Sequence, residues 1–281
     1  MDYDHIKYDL TGRIGVVTLN RPDSRNVMND QMIAELDDLL RKVETELDAK
    51  VLVIKGAGEC FSIGQDLSGE GTAAIMAPPP GTPAPAKEIL EEERRRSRRL
   101  EYIFNFPKPT IAQVHGQCIG LGCYLAMLCD IVIASHDAVF ADPGLRMGCV
   151  SAMPLWTWLV GVKKAREIVY LGSDINAVEA ERIGLINLAV PADKLEQEVH
   201  RYAKAISTCP GDGLALCKES INANLESRGV GTAWRFLDTI HLINQQQPFD
   251  PDEFNFFKVR DKKGLEEAMR ERDKPFKDLG F

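Results

Sequence analysis

The run Val51-Leu52-Val53-Ile54-Lys55 constrains this chain more than any other segment. A strand sends successive side chains to opposite faces, so an apolar run leaves no face for water. Such a strand belongs in a sheet covered on both sides, and those sheets are parallel because helical crossovers supply the covers. Strand and helix signals then alternate through Thr110–Val114, a helix from about Gly120, and Asp130–Ala134. This rhythm predicts an α/β architecture with right-handed crossovers. Upstream, Ile6–Leu10 and Ile14–Asn20 read as a strand pair joined at Thr11-Gly12-Arg13. A helix follows over Met32–Leu47, with apolar Ile33, Leu36, Leu39, Leu40, Val43 and Leu47 on one stripe and Asn29 as its cap. From Asp193 the pattern turns helical, over Lys194–Ile206, Gly213–Leu225, Thr232–Gln245 and Gly264–Arg272. The expected division is a core over residues 1–192 and a helical oligomerisation region over 193–281.

The bulk numbers exclude several classes. A chain of 281 residues with 44% hydrophobic and 27% charged content is an ordinary globular protein with ample core. A net charge of −8 argues against nucleic acid as a partner. No apolar run approaches the ~20 residues of a membrane span, and Met1-Asp2-Tyr3-Asp4-His5 shows no signal-peptide pattern. Seven cysteines without a Cys-x-x-Cys pair read as reduced thiols of a cytoplasmic protein, and no His/Cys cluster has metal-ligand spacing.

Gly69–Lys87, with Pro78-Pro79-Pro80-Gly81-Thr82-Pro83-Ala84-Pro85, interrupts the rhythm and reads as a flexible loop or lid. Glu88–Leu100 follows as a solvated helix with i,i+4 pairs such as Glu91–Arg95 and Glu92–Arg96. The sharper reading of its arginines is contact with phosphates.

Two stretches carry the chemistry: Cys60-Phe61-Ser62-Ile63-Gly64-Gln65-Asp66-Leu67 and His115-Gly116-Gln117-Cys118-Ile119-Gly120-Leu121-Gly122-Cys123-Tyr124. Each sets glycine where an apolar strand meets a helix start, which leaves backbone N–H groups pointing into a cavity. Two such groups aimed at one point stabilise an enolate or a tetrahedral oxyanion. With Asn20-Arg21-Pro22, Pro107-Lys108-Pro109-Thr110-Ile111-Ala112, Cys129-Asp130-Ile131-Val132-Ile133-Ala134, Phe140-Ala141-Asp142-Pro143-Gly144 and Ala180-Glu181-Arg182-Ile183-Gly184-Leu185-Ile186, they resemble the crotonase (enoyl-CoA hydratase/isomerase) superfamily. The resemblance implies a ββα spiral core with a helical C-terminal region, and a homotrimer or hexamer acting on an acyl-CoA thioester. Coenzyme A would enter as part of the substrate, with no separate cofactor. By position, the resemblance makes Gln65 and Leu121 the main-chain oxyanion donors. It sets Ile63, Gly64 and Leu67 at the adenine and pantetheine, and Arg25 near the CoA phosphates. Asp66 and Asp130 read as structural, Asp66 as a helix-start acceptor.

The two glutamates of the hydratase branch fall here on Tyr124 and Gly144. Each such acid–base group is typically worth ~10²–10⁴ in rate. Glycine supplies none, and an unperturbed phenol titrates near 10, so plain hydration by that pair is disfavoured. Asp142, two residues before Gly144, is the first candidate for proton transfer, against a solvated or capping role; Tyr124 is the second, against a pocket wall. His115, Cys149 and Ser151 are weaker, and His115 reads as a packing residue. Arg146-Met147-Gly148 and Val162-Lys163-Lys164-Ala165-Arg166-Glu167-Ile168 are similar to the naphthoate synthase and 2-ketocyclohexanecarboxyl-CoA hydrolase branches, whose catalytic aspartate falls on Ser151. Gly144, Ser151, Met153, Trp156 and Trp158 are expected to shape a large apolar acyl pocket. The functional expectation is an enolate chemistry on a bulky or cyclic acyl group in fatty acid or ring degradation. Isomerisation, C–C hydrolysis or lysis, and decarboxylation of a β-keto acyl-CoA are all open, as is a non-catalytic acyl-CoA-binding protein.

Overall fold

The computed structural model describes residues 2–68, 85–246 and 249–281. In chain order its elements begin with β1 (Ile6–Thr11), β2 (Ile14–Leu19), α1 (Asp30–Thr45), β3 (Val51–Gly56), α2 (Ala86–Phe104) and β4 (Thr110–Val114). Next come β5 (Gln117–Ile119), α3 (Leu121–Leu128), β6 (Ile131–Ser135), β7 (Val139–Ala141), α4 (Trp156–Leu171), β8 (Ile175–Asn176), α5 (Ala177–Arg182) and β9 (Leu188–Val190). The helices α6 (Leu195–Ser207), α7 (Gly211–Ser227), α8 (Val230–Gln246), α9 (Phe256–Lys263) and α10 (Leu265–Asp278) complete the chain.

Six strands form the main sheet in the order β1-β2-β3-β4-β6-β9, and every pairing but β1–β2 is parallel. The apolar run in β3 divides as its period requires. Leu52 and Ile54 join the large core with α1 and α3, while Val51 and Val53 join a second core with Leu195, Val199 and Ala203 of α6. The expected 192/193 boundary therefore cuts through packing: α6 covers the second face of the sheet, and the helical extension starts beyond it.

β5, β7 and β8 make a smaller sheet. Asn29 caps α1 through its Oδ1, which accepts from the Met32 amide at 3.0 Å. All eight residues of α3 are buried, as a helix apolar on every side must be. The expected loop over 69–87 lies outside the described residues except at 85–87, where α2 has begun at Ala86. On α2, Arg95 pairs with Glu92 at 3.1 Å and Lys87 with Glu91 at 3.8 Å. Glu92 also borders a cleft with Arg96 and Arg99, and the 93 and 97 positions of α2 pack against α8 through Glu93–His241 and Ser97–Asp238 hydrogen bonds. Among the described residues no helix is long and apolar enough to cross a membrane.

Candidate active site

The loop after β3 is clamped between two neighbours. Ser62 accepts at its carbonyl from Ile119 (2.9 Å) and its amide donates to the Gln117 carbonyl (3.1 Å). On the other side, the Met28 amide donates to Gly64 (2.7 Å) and the Asp66 amide to Met28 (3.0 Å). Gly64 sits at φ +96°, and a Cβ there would lie 2.7 Å from the Ile119 oxygen and 3.2 Å from the Leu121 nitrogen. Glycine is thus required by both conformation and space, and its absent side chain lets the 64–65 backbone run beside the first amide of α3. Leu121, as the first residue of that helix, has no intrahelical acceptor for its N–H. Gly122 allows the same close approach, since a Cβ there would meet the Ser62 oxygen at 2.7 Å.

Gln65 and Leu121 both border a cleft of about 690 Å³, counting its open mouth. Its apolar wall comes from Met28, Ile33, Leu36, Leu40, Leu100, Ile103 and Leu125, and Asp30, Asp37, Glu92, Arg96 and Arg99 supply charge. The walls are therefore α1, α2 and the first turn of α3. Gly144, Ser151, Met153, Trp156 and Trp158, expected at an acyl pocket, are not among the cleft-lining residues. Met153 and Trp156 are buried in the core, and Trp158 is half-buried against it.

Trp156 has a different task. Its Nε1 donates to Ser151 Oγ (3.1 Å) and Asp142 Oδ2 (3.3 Å). Asp142, 2% exposed, also accepts from Ser151 Oγ at Oδ2 (2.5 Å) and from Tyr124 Oη at Oδ1 (2.8 Å). Tyr124 Oη lies 3.2 Å from Ser151 Oγ and accepts the Ala152 amide at 3.2 Å. A carboxylate with three donors is fixed and compensated inside a buried site. Burial, and then the charge on Asp142, push the Tyr124 phenol well above its ordinary range, so it remains a protonated donor. Sequence reasoning thus named Tyr124, Asp142 and Ser151, and the structure brings them together around one proton-bearing cluster. In the chain Tyr124 lies between Leu121 and Leu125 of α3, which line the cleft, while Tyr124 and Asp142 are buried and are not among its lining residues.

Gly144 opens a short 3₁₀ turn, and a Cβ there would touch Asp142 Oδ1 and the Cys149 carbonyl, both at 3.4 Å. A side chain at 144 would thus stand beside Asp142. Cys149 is unreactive by environment, its thiol pushed up to about 11 by burial.

The remaining expected positions are distributed around the loop. Arg25 is exposed, adopts φ +51°, and reaches Gln117 Oε1 at 3.2 Å. Its carbonyl accepts from the Ile63 amide at 3.2 Å. The Leu67 carbonyl accepts from Arg260 of α9 at 3.4 Å. Asp66 receives the Ser68 amide (3.0 Å), and Asp130 receives Thr110 and Lys218 (2.7 and 2.8 Å), both structural roles. His115 bonds to the Gly58 carbonyl at 2.9 Å.

A family model for enoyl-CoA hydratase/isomerase matches residues 9–246. The chain belongs to the enoyl-CoA hydratase/isomerase family. A crystal structure of an enoyl-CoA hydratase/isomerase from Xanthobacter autotrophicus Py2 superposes with a TM-score of 0.87 at 32% identity, covering 98% of this chain and 99% of that one. An enoyl-CoA hydratase from Mycobacterium smegmatis gives 0.88 at 26% identity, over 98% and 94%. EchA13 of Mycobacterium tuberculosis, provisionally named an enoyl-CoA hydratase, is 31% identical over 86% of this chain and 81% of its own. The crotonase fold and an enzymatic family follow from these matches.

Three residues of this family member escaped the sequence reading. Asn26, fully buried at φ +53°, donates to the Ala57 and Cys60 carbonyls (2.7 and 2.9 Å) and accepts the Arg21 amide (3.0 Å), pinning the turn before α1 to the Gly64 loop. No local pattern announces it. Glu93 and His241 form a buried pair at 2.8 Å. Glu93 had a visible signal, since it falls on the apolar stripe Ile89, Leu100, Ile103 of its helix.

Proposed function

We propose that this family member processes an acyl-CoA thioester through an enolate whose oxygen is held by the main-chain N–H groups of Gln65 and Leu121. The observation that supports the reading is the close approach of Gly64 to the Leu121 amide, together with Gln65 and Leu121 both lining one apolar cleft. One donor of this kind is worth about 2.7–4 kcal/mol of transition-state stabilisation. Asp142 and Tyr124 are the groups we assign to proton transfer near the α-carbon, with Ser151 and Trp156 holding the carboxylate. Arg25, Ile63, Gly64 and Leu67 are assigned to the CoA moiety, in keeping with their grouping around the same loop. Because position 144 offers no carboxylate, the reading favours enolate chemistry beyond plain hydration by the Tyr124/Gly144 positions, and C–C cleavage of a β-keto acyl-CoA is its second form. Exposed Leu216, Ile221, Phe236 and Ile243 on α7 and α8 support a homotrimer or hexamer.

The test is exchange at Cα. The protein is incubated in D₂O with straight-chain, branched and cyclic acyl-CoA thioesters, and mass shift and products are read by mass spectrometry. Exchange by the wild type, reduced at least about 100-fold in Asp142→Asn, is the expected result. Binding of CoA esters with neither exchange nor product would replace this reading with a non-catalytic acyl-CoA-binding protein.

A further inference from the structure

The cleft beside Gln65 and Leu121 sets charged side chains into an otherwise apolar wall: Asp30, Asp37, Glu92, Arg96 and Arg99. All but one are engaged. Asp37 pairs with Arg41 at 3.2 Å and Glu92 with Arg95 at 3.1 Å, and Asp30 and Arg96 each interact with another group. Arg99, half-buried on the same face of α2 as Arg96, Leu100 and Ile103, has no hydrogen bond or ion pair among the described residues. A guanidinium does not lose its proton in a protein. The cleft therefore presents one unpaired cation on a greasy surface.

Arg99 stands toward the end of the cleft away from the main-chain donors. The donor end is the start of α1, where the Met28 amide donates to the Gly64 carbonyl (2.7 Å) and the Asp66 amide to the Met28 carbonyl (3.0 Å). The lining residues of α1 run from there, Asp30 to Leu40, over about 15 Å of helix axis. Tyr102, one turn beyond Arg99 on α2, is tied to the second half of α1. Its ring lies 4.7 Å from the Arg41 guanidinium, and its hydroxyl donates to Glu44 at 2.5 Å. Leu36, Leu40, Leu100 and Ile103 wall this part of the cleft, and all are buried. Arg25, Ile63 and Leu67, assigned above to the CoA moiety, do not line it. With a thioester held at the two amides, the part of the substrate that runs along α1 toward Arg99 is the acyl chain.

We infer that Arg99 selects an acyl-CoA thioester whose acyl chain ends in a carboxylate. The inference rests on the enolate reading above, which fixes the end of the cleft that holds the thioester. A chain that fills the cleft displaces water from the guanidinium. A methyl end returns nothing for that water and leaves the cation poorly solvated. A carboxylate end accepts two parallel N–H bonds from the planar fork and cancels the charge. The methylenes between the two ends lie on the apolar wall and on the hydrocarbon stem of Arg99 itself. Asp37 and Glu92 are already paired with Arg41 and Arg95, so the guanidinium is left for the substrate. Arg99 sets specificity at the far end of the chain and takes no part in proton transfer at Cα.

Matched acyl-CoA thioesters of increasing chain length, ending in methyl, carboxamide or carboxylate, test it on the full chain. Titration calorimetry gives Kd, and Cα deuterium exchange gives kcat/KM. The wild type is expected to favour the carboxylate end over the methyl end by at least about tenfold in both readouts. The preference should peak at one chain length, with the carboxamide in between. In Arg99→Met, which keeps an apolar stem, the carboxylate-to-methyl ratio should fall to within about threefold of one. Arg99→Lys, which keeps the charge and loses the fork, should hold part of the ratio. Because Arg99 bonds to nothing in the described protein, both variants are expected to melt with the wild type. A wild type without end-group preference overturns the inference whatever the variants do. A ratio that survives in Arg99→Met also overturns it, and equal weakening of every thioester and of free CoA would put the guanidinium on the CoA phosphates. Exchange without the preference defeats this inference alone. Carboxylate-selective binding without any exchange defeats the enolate reading and leaves the specificity of Arg99 standing; no binding of any thioester defeats both.

Discussion

Tyr124→Phe removes a single oxygen from the most densely bonded point of the site. That oxygen donates to Asp142 Oδ1 at 2.8 Å and accepts from the Ala152 amide at 3.2 Å. A hydrogen bond to a charged group contributes about 1.5–3 kcal/mol, and a buried backbone N–H left without an acceptor costs about 1–3 kcal/mol more. Shape is conserved, so no cavity of consequence opens, and Ser151 and Trp156 still hold Oδ2. The sum of the two losses is centred near 4 kcal/mol, with about 2.5 kcal/mol as its lower edge. For a chain of this size, each kcal/mol lowers Tm by roughly 2–4 °C, so a drop of about 8–16 °C is expected. Differential scanning calorimetry checks the shift, and urea titration at 25 °C checks the free energy. A Tyr124→Phe loss below about 1 kcal/mol would refute the picture of a buried carboxylate anchored by the phenol.

Gly64→Ala should destabilise the fold and cut Cα exchange by about 10²–10³, because its Cβ must displace the Ile119 carbonyl at 2.7 Å; an alanine variant with full exchange and unchanged Tm would break the link between this glycine and the donor pair. Asn26→Ala removes three hydrogen bonds, to the Ala57 and buried Cys60 carbonyls and from the Arg21 amide, so chemical denaturation should show a loss of about 3 kcal/mol, and a loss under 1 kcal/mol would contradict the pinning role. The third expectation concerns acid. Burial raises the Glu93 carboxyl, but the His241 hydrogen bond, the Arg96 charge and the Gln245 amide outweigh it and hold the group below its ordinary value. A depressed carboxyl stabilises the fold above its unfolded value of about 4.3, and that contribution disappears as pH falls through the lower folded value. The stability gap between wild type and Glu93→Gln should therefore be full at pH 6 and shrink below about pH 4; a gap that widens on acidification would show that the carboxyl is raised instead.

How much of this was readable in advance differs by feature. The run at Val51–Lys55 announced a two-faced parallel strand because side-chain alternation is a local rule, and the structure divides those residues between two cores as the rule requires. The glycine junctions were legible for the same reason: a close backbone approach at Gly64 leaves its mark in the residue type itself. So was the absence of glutamates at positions 124 and 144, which needs no coordinates. Trp156 was not legible. An indole is as fit for a pocket wall as for donating a hydrogen bond, and only the closed fold turns its Nε1 toward Asp142.

The sequence by itself thus determined the α/β class, the donor loops and the missing carboxylates, all of which follow from short-range periodicity, glycine stereochemistry and residue identity. Tertiary structure alone decided the partners. Glu93 and His241 are 148 residues apart in the chain, and Tyr124 lies on α3 while Asp142 follows β7. Whether such groups meet depends on how α8 docks on α2 and how β7 turns beneath α3. That docking is set by the summed packing of many side chains, and no local pattern in the chain records it.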